Sequence, residues 1–192
     1  MARRQPLPRL LLMTDERMGE ALWLALERLP RGSGVVVRHR ATAAKERRRL
    51  FDRVRAVARR RGLVVLLAGS VRHAIGWRAD GVHGPAAGRR APRPILRSAP
   101  AHDAGQLAAA ARNKVDLVLL SPVFATRSHP NGVALGVVRW GLLATGRPSG
   151  PRLLALGGIT VRNFRRLQPL GAEGWAAIDG LGADQNLKVV PR

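Results

Sequence analysis

Two arginines directly follow a short apolar run in the segment GVVVRHR, residues 34–40. Arg38 and Arg40 share strand parity with Val36, so we expect the three side chains to point the same way. If these side chains point into the barrel, an anionic ligand or acidic residues must pair with the two guanidinium groups. Burying an unpaired guanidinium costs several kcal/mol. The alternative is that both arginines lie past the strand's end and are solvated.

A glycine pair and a polar loop offer further contacts for an anion. Gly157 and Gly158 stand in ALGGIT between an apolar run and a helical pattern, where free backbone amides can hold a phosphate. A tight turn is the simpler alternative. The loop ATRSHP, 125–130, also suits an anion, although such residues are common in any exposed loop. Its candidate contacts are Thr126, Arg127, Ser128 and His129.

Titratable and hydroxyl side chains stand at the ends of other apolar runs. These residues are Asp15, His83, His102, Ser121 and Asp179. Structural roles compete with chemical ones at three of them. Asp15 suits a helix cap, His83 suits a core histidine bonded to backbone, and His102 suits the cap or first turn of a following helix.

Eight apolar runs recur every twenty to thirty residues and predict the elements that position these side chains. They cover 10–13, 34–37, 63–68, 80–83, 95–97, 116–121, 153–158 and 174–179. Helical patterns lie between most of them, at 18–29, 43–61, 103–113, 137–145 and 160–168, whereas 71–77 and 85–92 are poorly patterned. Continuous strands that alternate with helices predict a parallel sheet, here a compact α/β fold, the (β/α)8 TIM barrel. Its last helix is expected to be short or missing.

Helix 43–61 has one strongly basic face. Its apolar residues Leu50, Phe51, Val54, Val57 and Ala58 fall on one side. Arg47, Arg48, Arg49, Arg55 and Arg59 are assigned mostly to the other, solvated side.

Composition limits the classes of function. The net charge of +22 suggests a nucleic-acid partner, but only three of the 34 basic residues are lysine, which is typical of an arginine-biased composition. Few aromatic residues are available to stack on bases, so nothing beyond non-specific charge attraction is expected. The absence of cysteine excludes disulfides and thiolate chemistry. We expect one barrel domain, 1–180, with a C-terminal tail, 181–192, in a cytoplasmic protein without membrane contact.

Seven fragments in order resemble the thiamine phosphate synthases and the related thiazole tautomerases. They are LLLMTDER, VVVRHR, ADGVHG, AH at 101–102, SPVFATRSHP, ALGGIT and GWAAID, and together they span most of residues 10–180. The resemblance implies a (β/α)8 barrel that binds a small phosphorylated substrate. It also implies that Arg38 and Arg40 contact phosphate and that His102 is the catalytic histidine of the tautomerase branch, since an imidazole titrates near neutrality.

Several positions depart from the synthase pattern. Ala68 and Gly69 stand where the family has Asn-Asp, and Ala86, Ala87 and Gly88 where it has a second acid, so both magnesium carboxylates are missing. Val36 replaces a glutamine and His129 a lysine, and Asp179 puts a negative charge near the expected phosphate.

These departures favour metal-independent, tautomerase-like proton transfer on a phosphorylated thiazole over coupling. No metal or cofactor is expected, with magnesium required only if the synthase reaction is retained. Two alternatives stay open: a synthase that neutralises phosphate with arginines, and a non-catalytic barrel that binds a phosphate ligand. A homodimer also stays open.

Overall fold

Eight parallel strands close into a barrel in chain order. The computed structural model describes residues 6–85, 94–126 and 133–178. Each strand is short and most of its residues are buried, as expected for strands covered on both faces. The strands are β1 (Leu10–Met13), β2 (Gly34–Val37), β3 (Val64–Ala68), β4 (Gly81–His83), β5 (Leu96–Ala101), β6 (Leu117–Leu120), β7 (Arg152–Leu156) and β8 (Gly174–Ala177).

Six helices lie between the strands in the described part of the chain. They are α1 (Ala21–Arg28), α2 (Ala44–Arg61), α3 (Val71–Gly76), α4 (Ala104–Arg112), α5 (Gly136–Thr145) and α6 (Val161–Phe164). The helix predicted over 18–29 begins later, because residues 16–18 form one 3₁₀ turn capped by Asp15. The helix predicted over 160–168 ends at Phe164 and is followed by a second 3₁₀ turn, Gln168–Leu170. None of these helices is long and apolar enough to cross a membrane.

Two apolar clusters divide the core along the strands. One fills the barrel interior, with Leu11, Met13, Val36, Val64, Leu66, Ala68, Leu117, Leu119, Leu154 and Ala176. The other packs the outer strand faces against the helices and includes Phe51, Val54, Trp140 and Trp175. Since strand side chains alternate between the two clusters, the interior is a packed core and the ligand site must lie at an end of the barrel.

The predicted (β/α)8 class is confirmed by the closed parallel order. All eight predicted strands are present, and the largest difference is at β5, which ends at Ala101, four residues beyond the predicted run 95–97. The tail 181–192, where a last helix was expected to be short or missing, lies outside the described residues. The division into one domain and a tail stays a prediction.

Candidate functional site

The carboxyl ends of all eight strands meet at one end of the barrel because every pairing is parallel. Arg38, His102 and Gly157 each follow a strand directly and therefore share this end, called here the mouth. Arg127, Ser128, His129 and Asp179 lie outside the described residues, so their placement stays a prediction.

The backbone changes direction where the two arginines leave β2. The strand ends at Val37, and His39 has a φ of +37°, so strand parity does not continue to Arg40. Arg38 keeps 28% of its side chain exposed, and Arg40 is exposed. Both nevertheless lower the pKa of buried His83. The arginines thus lie past the strand's end, as the second interpretation held, yet their charge acts on the barrel interior.

Asp15 shares its carboxylate between two arginines at the mouth. Its Oδ1 accepts hydrogen bonds from Arg17 Nε at 2.6 Å and from the Arg17 amide at 3.2 Å. Its Oδ2 lies 3.8 Å from Arg38 Nη2. The Arg17 hydrogen bond lowers the pKa of Asp15, against the opposing effect of burial. Asp15 is therefore both the predicted cap and a weak partner of Arg38, which it leaves able to take a second anion.

The buried hydroxyl of Thr14, the residue after β1, links β1 to the end of β2 by hydrogen bonds. Thr14 Oγ1 accepts the Arg38 amide at 3.0 Å and lies 2.9 Å from His39 Nδ1. Burial lowers the pKa of His39, so its ring is neutral at pH 7. This network fixes the backbone from which Arg38 projects.

His83 is a core residue inside the barrel, as one prediction held. Its Nδ1 lies 3.0 Å from the hydroxyl of fully buried Ser98, so its partner is a side chain and not the backbone. Burial, with Arg40 and Arg38 adding to it, lowers the pKa of His83 to about 4. A neutral imidazole therefore lies beneath the mouth cations.

His102 is exposed at the end of β5, with one ring nitrogen fixed. Its Nδ1 lies 2.7 Å from the carbonyl oxygen of Ser121. A carbonyl only accepts, so Nδ1 carries a proton and the neutral ring presents its lone pair at Nε2. The cap of α4 is Asp103, whose carboxylate accepts the Gln106 amide at 2.8 Å, so His102 does not have the capping role considered from sequence.

The glycine turn after β7 packs against the chain that leaves β6. Gly157 and Gly158 have φ values of +99° and +63°, which favour glycine. A Cβ on Gly158 would lie 2.7 Å from the Ala125 carbonyl oxygen. Phe124 donates its amide to the Gly157 carbonyl at 3.0 Å. The turn therefore lies alongside the segment 122–126 at the mouth, and Thr126, the last residue of that segment, is half-buried.

Ala68, where β3 ends, and Gly69, which follows it, carry no side-chain oxygen for magnesium, which prefers carboxylate oxygens. The Ala68 carbonyl accepts a hydrogen bond from Arg47 Nη2 at 2.5 Å. Across 6–85, 94–126 and 133–178 no group of three or more His, Asp or Glu side chains could hold a metal ion. Positions 86–88, the second expected ligand region, lie outside these ranges.

Sequence reasoning gave Thr14, His39 and Arg47 no site role. Arg47 was assigned to the solvated face of its helix, but it is half-buried. A signal was available, because residues 47, 51, 54 and 58 repeat at helical spacing and the last three are buried. His39 carried no comparable signal, since its burial depends on the positive φ of a loop.

Comparisons with known proteins agree on one family. The model of the thiamine monophosphate synthase family matches residues 10–181. A protein named putative thiamine-phosphate synthase 2, from Aquifex aeolicus, is 29% identical over 90% of this chain and 96% of its own length. The thiamine-phosphate synthase of Chloroflexus aurantiacus is 27% identical over 96% and 89%.

Solved structures show the same fold. A thiamine phosphate pyrophosphorylase from Pyrococcus furiosus superposes with a TM-score of 0.71 at 20% identity, covering 95% of this chain and 91% of its own. The enzyme of that name from Bacteroides thetaiotaomicron gives 0.60 at 18% identity, covering 88% and 82%.

Proposed function

The chain belongs to the thiamine monophosphate synthase family, and from that premise we propose that it binds a phosphorylated thiazole at the mouth and moves a proton on the thiazole ring without a metal. The phosphate contacts proposed are those predicted from sequence. Arg38 and Arg40 supply guanidinium donors, and the Gly157–Gly158 turn supplies backbone amide donors at the same end of the barrel.

The fixed tautomer of His102 is the observation that carries this proposal. Because Ser121 holds the Nδ1 proton, Nε2 is the basic nitrogen. It accepts a proton from one position of the thiazole, and the resulting imidazolium returns a proton to another position, so the ring is isomerised with no net gain or loss of electrons. The Ser121 carbonyl also stabilises the transient positive charge on the imidazole.

Substitution of His102 tests the proton-transfer role. His102→Gln should lower turnover of the thiazole phosphate by about 10² or more, the usual worth of a general base, while its affinity stays within about threefold. His73→Gln, at an exposed histidine of α3, is the matched control and should retain full turnover. Turnover by His102→Gln at the wild-type rate, or loss of binding on adding a chelator, would contradict the proposal.

The second candidate is coupling of a pyrimidine diphosphate to the thiazole phosphate. It is favoured by the names of the two relatives, both of which are called thiamine-phosphate synthases, and by arginines that could stabilise a leaving pyrophosphate. Pyrophosphate release in the presence of both substrates, or growth of a strain that lacks the synthase, would establish it. A chain that binds thiazole phosphate but is inactive in both assays would be a non-catalytic barrel.

A further inference from the structure

We propose that Arg47 is an anion-binding residue of the mouth, a built-in cation at the β2–β3 edge that supplies the positive charge a metal would bring. The inference rests on the proposed function, because it deepens the same phosphate site. It concerns the binding of a phosphate or pyrophosphate group, whatever the organic part of the ligand.

Arg47 spans the carboxyl ends of two neighbouring strands from the first turn of α2. Its Nη2 donates to the Ala68 carbonyl at 2.5 Å and lies 3.4 Å from the Val37 carbonyl. Its Cζ lies 5.7 Å from the centre of the Trp77 ring. These contacts hold the guanidinium in one place and leave Nη1 without a hydrogen bond to any described residue.

Within the described residues, no carboxylate forms an ion pair with the Arg47 guanidinium. Its Nε is buried and has no hydrogen-bond partner. Burial, and then the nearby charge of Arg40, lower the pKa of Arg47, whereas Glu16 raises it from a distance. The Glu16 carboxylate accepts the Ala41 amide at 3.0 Å and forms no ion pair with Arg47. Arg38, Arg40 and Arg47 thus concentrate positive charge that Asp15 and Glu16 offset only in part.

At the opposite end of the barrel a second arginine makes similar backbone contacts and has a carboxylate beside it. Arg152, at the start of β7, donates from Nη1 to the Leu7 carbonyl, and its Nε is likewise buried without a hydrogen-bond partner. There, however, Glu173 Oε2 lies 3.6 Å from Arg152 Nε. Both guanidinium groups donate to backbone carbonyls, but of the two only Arg152 has a carboxylate beside it in the described part of the chain. At the mouth an anionic ligand would take the place of that carboxylate.

A fixed guanidinium beside Arg40 suits a group with several anionic oxygens. Phosphate and pyrophosphate oxygens accept charge-assisted hydrogen bonds from planar guanidinium groups, often two at a time. Because the cation is part of the chain, such binding needs no magnesium.

Calorimetric titration with inorganic pyrophosphate in EDTA tests this inference. Arg47→Met should weaken pyrophosphate binding by about tenfold or more, and Arg47→Lys should recover most of the loss by restoring the charge. Arg49→Met removes an exposed cation from the same helix and should bind within about twofold of wild type. Wild-type affinity in folded Arg47→Met, or a large gain in wild-type affinity on replacing EDTA by magnesium, would overturn the proposal.

A second measurement does not depend on any variant folding. The buried Nε–H of Arg47 can be followed by NMR in the wild-type protein, and pyrophosphate should shift its resonance. No shift at saturating pyrophosphate would overturn the proposal. Arg38→Met separates the two hypotheses: weaker binding in that variant, with Arg47→Met unaffected, would leave the proposed function standing and remove only the role of Arg47. Wild-type affinity in both variants would overturn both.

Discussion

Among single residues, two histidines at or beneath the mouth, His83 and His39, have their pKa values lowered by burial. His83 has its pKa lowered from 6.5 to about 4, and His39 is lowered in the same direction. Between pH 4 and 6.5 the unfolded chain binds a proton at His83 that the folded chain does not. The free energy of unfolding is therefore fully retained above pH 6.5 and falls as the pH drops toward 4.

His83→Asn should reduce this acid sensitivity. Asparagine can keep a hydrogen bond to Ser98 but does not titrate, so the drop in unfolding free energy between pH 7.5 and 4.5 should be smaller than in wild type by about 2 kcal/mol. Urea unfolding at a series of pH values measures this. The exposed His73→Asn is the control, and parallel pH curves for wild type and His83→Asn would show that His83 is not buried as described.

Sequence patterns located some site residues and missed others for a physical reason. His102 and Gly157 follow apolar runs directly, and a parallel barrel brings such positions to one end. Arg47 and His39 reach the mouth through tertiary contacts, a helix packed over two strand ends and a loop residue with positive φ. Those contacts depend on packing that residue types and spacing do not specify.

At the scale of elements, the β7 turn and the chain after β6 form one packed unit. Val123 and Phe124 donate their amides to the carbonyls of Leu156 and Gly157. A side chain at Gly158 would meet both Phe124 and Ala125. The glycine pair is thus a tight turn, the simpler alternative, and it also determines how close the 122–126 segment approaches the mouth.

Gly158→Ala should cost stability, since alanine is strained at a φ of +63° and its Cβ would lie 2.8 Å from Phe124 Cβ. We expect a loss of about 2 kcal/mol in urea unfolding. Gly76→Ala, at a helical glycine with open space around it, should be neutral or slightly stabilising and is the control. Equal stabilities for the two variants would contradict the described contact.

The accuracy of the element predictions followed their length and pattern. Helix α2, with 18 residues and a clear apolar stripe, begins one residue from its predicted start and ends where predicted. Helix α3 has six residues with one buried side chain, Ala74, and that is too little for a periodicity to appear. In β5 the small residues and Pro100 hid the second half of the strand.

At the scale of the whole molecule, the barrel follows from eight apolar runs spaced for alternating helices. Closure of the barrel leaves no exposed sheet edge, and the parallel pairing places all eight carboxyl strand ends at one end of the barrel. The net charge of +22 does not determine this architecture, and five of the eight arginines of α2 are exposed, namely Arg49, Arg53, Arg59, Arg60 and Arg61. Three arginines at the mouth, Arg38, Arg40 and Arg47, are the cations that enter the proposals on phosphate binding.

The most direct test is calorimetric titration of thiazole phosphate into the wild-type protein and Arg38→Met, each with EDTA and then with magnesium. We expect saturable wild-type binding in EDTA, no gain in affinity with magnesium, and an affinity lower by about tenfold or more in Arg38→Met. Binding that appears only with magnesium, or that Arg38→Met leaves unchanged, would contradict a metal-independent anion site at the barrel mouth.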